Sequence, residues 1–275
     1  MDDQQLRYGA VLPGGTAPEQ LELAVLAEQS GWDGIFVWEA AYGPDAWSML
    51  AAMAARTSRV RLGTMLTPLP FRRPWKVASQ VATLDQLSDG RAILAVGVGA
   101  LDTDLPDTGE VTGLRDRADR MDEGIDLIRM LWDGGRSYHG RFYDYETGRL
   151  DLAAAAKPVQ DRIPIWVVAV WPAPRSMRRV LRCDGIIPQY SGTAGDDTEP
   201  GPGDAAAVRA WLTEQRLPDS FDLIADGETR GDKPALAATV ADSWRSAGCT
   251  WWLETRWEAR DAMAERIAAG PPRLS

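Results

Sequence analysis

A chain of 275 residues with a net charge of −10 can bury a large core, and its acidity argues against binding nucleic acid or anionic membranes. It contains no apolar stretch as long as a membrane span and no signal-peptide core at its start, so we expect a cytoplasmic protein. Cys183 and Cys249 lack the spacing of a metal site and are expected to be reduced and buried. With His139 as the only histidine, we expect no metal centre.

Strand and helix signals alternate along the first half of the chain. In order, the sequence predicts strand Tyr8–Leu12, helix Pro18–Ser30, strand Ile35–Trp38, helix Pro44–Arg56, strand Val60–Thr64, a helix from Pro74 to Ser88, strand Ala92–Val96 and helix Leu114–Trp132. Between the last two lies a loop, residues 100–114, that is polar, aperiodic and expected to be mobile. Buried strands joined by crossover helices form a parallel sheet.

The same alternation continues in the second half, after an interruption. Residues 133–162 break the rhythm and contain a predicted hairpin at Tyr138–Tyr143. The remaining elements are strand Ile165–Val170, helix Pro174–Arg182, strand Gly185–Pro188, helix Ala205–Gln215, strand Phe221–Ala225, helix Pro234–Ala247, strand Thr250–Glu254 and helix Trp257–Ala268. Residues 191–204 are acidic and glycine-rich, and we expect a mobile loop there.

Eight strand–helix pairs predict an α/β protein with a (β/α)8 barrel, in which residues 1–275 form a single domain and residues 133–162 are a small insertion before the fifth strand. The alternative is an open doubly wound sheet. That alternative has less support, because no GxGxxG motif follows the first strand.

Several motifs occur together at characteristic spacing. They are Gly63-Thr64, Arg73-Pro74, Ala82-Thr83-Leu84-Asp85, Gly90-Arg91, Gly97 with Gly99, the run Gly31–Glu39, and Ile163–Val167. In these residues the chain resembles the bacterial luciferase-like superfamily of flavin- and deazaflavin-dependent oxidoreductases. The resemblance implies a barrel that uses reduced FMN as a diffusible cosubstrate, with oxygen or a small organic substrate, and the deazaflavin F420 is the alternative cofactor. It allows two partners, a flavin reductase that supplies reduced FMN and a second copy in a homodimer.

The site of such a barrel lies at the carboxyl ends of its strands. These ends are aromatic and carry few charges, which suits a flat heteroaromatic ligand. The cofactor-binding candidates are Thr64, Met65, Leu66, Gly97, Val98, Gly99, Arg117, Val170, Trp171 and Ser176. The substrate-binding candidates are Trp38, Trp47, Tyr190, Trp252 and Glu254. The competing interpretation is that the tryptophans fill the core and the arginines are ordinary surface charges.

Glu39 matches a carboxylate that ends the second strand in the family, and it is the catalytic candidate. The alternative is an ion pair with Arg72 or Arg73. The resemblance also implies a non-proline cis peptide bond between Met65 and Leu66, which would press a bulge against the flavin ring.

The sequence departs from the family in two places. A histidine commonly follows the glutamate in the family, but Ala40 stands here, so proton transfer falls to Glu39, Tyr190, Glu254 or water and reaction with oxygen is expected to be slow. Residues 169–172 replace the glycines and serine of the phosphate seat, which leaves Arg117, Arg175 and Ser176. We therefore expect cofactor affinity in the micromolar range or weaker. The rival hypothesis is a barrel without redox chemistry, acting as a binding protein or non-redox enzyme.

Overall fold

The computed structural model describes residues 5–100, 109–148, 153–191, 200–256 and 262–273. Its strands are β1 Arg7–Leu12, β2 Gly34–Val37, β3 Arg61–Thr64, β4 Thr67–Pro68, β5 Ala92–Gly97, β6 Ser137–His139, β7 Asp144–Glu146, β8 Ile165–Trp171, β9 Gly185–Tyr190, β10 Asp222–Gly227 and β11 Trp251–Glu254. Its α-helices are α1 Ala17–Gln29, α2 Ala46–Arg56, α3 Pro74–Leu87, α4 Leu114–Trp132, α5 Pro174–Val180, α6 Pro202–Glu214, α7 Pro234–Ser246 and α8 Met263–Ala268.

Eight parallel strands close into a barrel. Their order is β3, β2, β1, β11, β10, β9, β8, β5, and β5 pairs back with β3 to complete the ring. The short β4 adds to the carboxyl end of β5, and β6 and β7 form a separate antiparallel hairpin in the insertion. The (β/α)8 prediction is therefore confirmed, and the open doubly wound sheet is excluded.

Aromatic side chains fill the lower part of the barrel. The ring of Trp166 lies 5.3 Å from that of Phe36, stacked, and 5.3 Å from that of Trp251, edge to face. Glycines opposite make room for them, since a Cβ atom on Gly185 would lie 2.4 Å from the Trp166 ring and one on Gly63 would lie 3.2 Å from the Phe36 ring. This layer closes the barrel below the carboxyl ends of the strands, where open space remains.

The element boundaries differ from the predicted ones where local contacts decide them. Helix α6 begins at Pro202, inside the predicted loop 191–204, because Pro202 suits the first helical turn and the Asp204 carboxylate accepts a hydrogen bond from the Gly201 N–H. Residues 192–199 of that loop, 101–108 of the loop 100–114 and 257–261 of the last predicted helix lie outside the described residues. A short 3-10 turn, Leu69–Phe71, was not predicted.

Cys183 and Cys249 are free thiols and both are buried, and this burial raises the pKa of Cys183 to about 12. His139 lies on the exposed β6–β7 hairpin of the insertion, where it contacts Asp144, and it does not stand at the carboxyl end of a barrel strand. Within the described ranges, no helix is long and apolar enough to cross a membrane, and no group of three His, Cys, Asp or Glu side chains could hold a metal ion.

Candidate active site

A cleft of about 500 Å³ opens at the carboxyl ends of the barrel strands. The described residues that line it are Trp38, Glu39, Met65, Leu66, Pro68, Gly97, Val98, Gly99, Ala100, Val168, Ile187, Pro188, Gln189 and Asp226. They come from the carboxyl-terminal parts of six barrel strands, from the short β4 or from the loops just beyond, where the site of this fold is expected. The lining is mainly apolar, with a few polar groups at its edges, which is the composition of a site for a planar organic ligand.

A bulge between β3 and β4 forms one wall of the cleft. The peptide bond between Met65 and Leu66 is cis, as the resemblance implied. The Leu66 side chain packs against Gly97, where an added Cβ atom would lie 2.8 Å from Leu66 Cδ2. At Gly99, which has φ +80°, a Cβ atom would lie 2.5 Å from the Phe71 ring. The glycines are therefore needed by these neighbouring side chains as well as by any ligand that lies against the backbone.

A chain of hydrogen bonds ties Glu39 to this bulge. The Thr67 hydroxyl donates to Glu39 Oε2 at 2.7 Å and lies 2.9 Å from the Thr64 hydroxyl. Because the one proton of Thr67 goes to Glu39, Thr64 is the donor in the second bond. Arg72 completes the chain, with Nη1 at 3.1 Å from Glu39 Oε1. Burial raises the pKa of the Glu39 carboxyl, while Arg72 and Thr67 oppose that shift.

Glu39 therefore forms an ion pair with Arg72, which is the alternative that the sequence left open. It also lies at the edge of the cleft. Thr64 lies behind the bulge and does not itself line the cleft. Both residues therefore hold the shape of the wall through Thr67.

Replacing Thr67 with valine should lower the free energy of unfolding by about 1–3 kcal/mol, because the buried hydroxyl of Thr64 and the carboxylate of Glu39 each lose a partner. Urea unfolding at neutral pH measures the change. Thr239→Val is the matched control, since Thr239 is exposed on α7 and its hydroxyl contacts only a helix carbonyl. Equal stability of the two variants would contradict the stabilising role assigned to these hydrogen bonds.

Arg117 supports the opposite wall from helix α4. It is 4% exposed, and its Nη1 donates to the carbonyl oxygens of Val98 at 3.1 Å and Gly99 at 2.6 Å. No carboxylate of a described residue pairs with it, and its buried Nε–H has no partner in the described part of the chain. Burial lowers the pKa of the guanidinium. Arg117 thus fixes the turn after β5, and no carboxylate among the described residues compensates the positive charge that it places behind this turn.

Other predicted site residues do not line the cleft, although Trp47 lies beside Glu39 and Tyr190 lies near Asp226. Side chains alternate along a strand, so the inward-facing residues of β11 are Trp251 and Leu253. Trp252 and Glu254 therefore face the helices, where Trp252 packs against Trp244 and Glu254 is fully buried.

The same alternation applies to β8 and β9. Trp166 and Val168 face inward. Val170 shares their phase but does not line the cleft, whereas Trp171, on the other face, packs edge to face on Trp211. Tyr190 packs against the outer core, and Trp47 is buried at the start of α2.

The predicted phosphate seat is occupied by internal contacts. Ser176 Oγ accepts a hydrogen bond from the Val170 N–H at 2.9 Å, and Arg175 pairs with Asp119 at the surface. Of the three candidates, Arg117 alone has a buried guanidinium N–H with no acceptor among described residues.

Several lining residues were missed from the sequence, namely Pro68, Ala100, Val168, Ile187, Pro188, Gln189 and Asp226. Gln189 and Asp226 stand at predicted strand ends, yet neither was selected. Most of the other missed residues can be identified from the alternation of inward-facing and outward-facing side chains along each strand. Trp166 is buried inside the barrel, so Val168, two residues on, must face the same interior.

The sequence profile of the luciferase-like monooxygenase family matches residues 4–200. The chain belongs to the luciferase-like monooxygenase family. The family resemblance drawn from the sequence motifs is thereby confirmed, and the bulge and the glycines at the end of β5 both lie within the matched region.

Within this family, the chain is 33% identical over 230 residues to a protein named F420-dependent glucose-6-phosphate dehydrogenase from Microbacterium testaceum. The match covers 79% of the chain and 62% of that relative, so the chain spans about three fifths of the relative's length.

Solved structures agree on the fold. The tetrahydromethanopterin reductase of Methanopyrus kandleri, described as coenzyme F420 dependent, superposes with a TM-score of 0.71 at 17% identity, covering 96% of this chain and 97% of that one. An F420-dependent secondary alcohol dehydrogenase gives a TM-score of 0.68 at 19% identity, covering 98% and 92%. At these identities the likeness is one of fold.

Proposed function

We propose that this protein is an F420-dependent oxidoreductase that transfers a hydride between the deazaflavin and a small organic substrate. The observation that carries the proposal is the cleft between the Met65–Leu66 bulge and the turn at Gly97–Gly99, whose apolar walls suit a flat ring. When bound, the cofactor supplies a carbon that accepts or donates a hydride. The chain's own residues bind it, orient it and exclude water around it.

The residues of the cleft fit such a ring better than they fit its phosphate. Trp38, Leu66 and Val168 provide apolar surface, and Arg117 provides a positive charge behind the turn. Arg175 and Ser176 are engaged elsewhere. An affinity in the micromolar range or weaker remains our expectation.

F420 is favoured here over the reduced FMN that the sequence analysis placed first, because curated relatives at 33–34% identity are named for F420. The family name supports reduced FMN with oxygen as the second candidate, and only in that case is a flavin reductase a necessary partner. Ala40, in place of the histidine common in the family, weakens that candidate. The non-redox barrel draws its support from Ala40 and from the engaged phosphate seat.

We propose further that residues 1–275 form one domain, with residues 133–162 as its insertion. A homodimer and a cytoplasmic location also remain hypotheses, and sedimentation of the purified protein tests the first of them.

An anaerobic assay tests the function. The protein is mixed with F420 and a panel of alcohols and sugars, and loss of the visible absorbance of oxidised F420 is followed. Turnover that depends on the protein supports the proposal. Reduced FMN with oxygen is assayed in parallel, and rapid oxygenation of a substrate there, without any F420 turnover, would favour the FMN candidate. Absence of both activities and of cofactor binding would favour the non-redox barrel.

A further inference from the structure

Asp226 stands at the mouth of the barrel, at the carboxyl end of β10. Side chains on one face of a strand recur every second residue. Asp222 and Ile224 face the barrel interior, where Asp222 accepts from Trp166 Nε1 and Ile224 packs in the inner cluster. The same phase directs Asp226 into the cleft that it lines.

Asp226 differs from the other acidic groups nearby in having no partner within the described part of the chain. Asp222, four residues earlier, is held by Arg7, Thr250 and Trp166. By contrast, no described side chain or N–H lies within hydrogen-bond or ion-pair distance of the Asp226 carboxylate. Burial in the mouth of the barrel raises the pKa of the Asp226 carboxyl, and no charged neighbour contributes to this shift. The residue as a whole is nevertheless exposed at the cleft, so a ligand there can contact it.

The two carboxyls of the cleft therefore have different environments. Glu39 is neutralised by Arg72 and hydrogen-bonded to Thr67, so its lone pairs are engaged. Asp226 is available to a ligand. Two carboxyls in one site with different surroundings are the arrangement from which proton donors and acceptors are assigned. The only histidine, His139, is on the exposed hairpin and takes no part.

The charges of the residues that line the cleft indicate which class of substrate it accepts. Of the fourteen described residues that line the cleft, Glu39 and Asp226 are acidic and none is a lysine or an arginine. Because Arg72 offsets the charge of Glu39, the charge that a ligand meets is that of Asp226. A hydroxyl group donates readily to a carboxylate, whereas a phosphate ester is repelled by it.

We propose that Asp226 is the catalytic base of this site and that the cleft takes an uncharged alcohol rather than a phosphate ester; the inference rests on the proposed function. The Asp226 carboxylate accepts the hydrogen bond of the substrate hydroxyl. The carbinol C–H bond breaks, and the hydrogen leaves with its electron pair for the bound deazaflavin. The O–H proton passes to Asp226, and the C–O bond becomes a carbonyl. The alcohol is oxidised by two electrons, and the cofactor is reduced by two.

The first test concerns the group itself and needs no activity. Infrared-detected titration of the cofactor-free protein follows the carboxylic C=O band. We expect a component that disappears at a pH above the range of an ordinary aspartate and is missing in Asp226→Asn. Burial and, to a smaller extent, nearby acidic groups including Asp226 raise the pKa of Tyr190. A tyrosine does not absorb at the carboxylic C=O band, so it does not interfere with this measurement. Asp232→Asn, in the following exposed loop, is the control that keeps the component. An unchanged band in Asp226→Asn overturns the assignment.

The second test concerns catalysis and substrate class. F420 binding, measured by tryptophan quenching, should survive in Asp226→Asn, while kcat for alcohol oxidation falls about 100- to 10,000-fold and loses its rise with pH. Glucose, cyclohexanol and glycerol are compared with glucose 6-phosphate and glycerol 3-phosphate. We expect the neutral compounds to be oxidised with the higher kcat/KM. Preference for the esters, or no turnover of either class by a protein that binds F420, overturns the proposal. Failure to bind F420 contradicts the proposed function instead, and the infrared titration still decides whether Asp226 titrates as assigned.

Discussion

Replacing Arg266 with methionine should lower the free energy of unfolding by about 3–5 kcal/mol, because it removes a cation that compensates a fully buried carboxylate. Arg266 lies 3.3 Å from Glu254 Oε2, and the two side chains are 3% and 0% exposed. Arg266 also donates to the Thr229 hydroxyl and to the Gly270 carbonyl oxygen. Urea unfolding monitored by circular dichroism measures the loss.

The matched control is Arg230→Met in a neighbouring loop. Arg230 pairs with Asp232, but both side chains are more than half exposed, so water replaces the lost contact. We expect its unfolding midpoint to stay at the wild-type value. A midpoint for Arg266→Met that also stays there would show that Glu254 is not held as the structure indicates.

Replacing Arg117 with methionine should weaken F420 binding about ten- to a hundredfold. The variant loses two hydrogen bonds that fix the turn at Val98 and Gly99 and the positive charge behind it. A charge-assisted hydrogen bond contributes roughly 1.5–3 kcal/mol, which corresponds to that range of affinity. Anaerobic titration with F420 provides the measurement.

Arg115→Met is the control for this prediction, since Arg115 lies two residues earlier on α4 and is exposed. Its affinity for F420 should match that of the wild type. If Arg117→Met binds F420 as tightly as Arg115→Met does, the turn after β5 does not depend on Arg117 and its charge does not reach the ligand.

The fold was predictable from the sequence because each element carries its own local signals. Helix α4 occupies the predicted Leu114–Trp132, since an apolar stripe runs its length and Gly134, with φ +81°, follows its end. The start of α6 was harder to predict, because the Asp204 cap lies in a stretch whose composition is that of a loop.

The site was only partly predictable. Trp38, Met65 and Leu66, which line the cleft, were selected because they follow strand ends whose motifs are distinctive. Glu254 and Trp252 were misplaced because being at a strand end does not say which face a side chain occupies. The pair of Glu39 with Arg72 joins residues 33 positions apart, and only the folded bulge brings them together. Asp226 carries no motif, and its lack of partners among the described residues is visible only in three dimensions.

The central claim is that the cleft at the carboxyl ends of the strands binds a deazaflavin. Anaerobic equilibrium titration of the wild type and of Val168→Trp, with F420 and FMN in separate experiments, tests it most directly. Val168 lines the cleft, and an indole there would fill the space that the ring needs. We predict one site per chain, tighter for F420 than for FMN, and loss of binding in a Val168→Trp protein whose circular dichroism is unchanged. Equal F420 binding by the two proteins, or no binding by the wild type at hundreds of micromolar, would contradict the account.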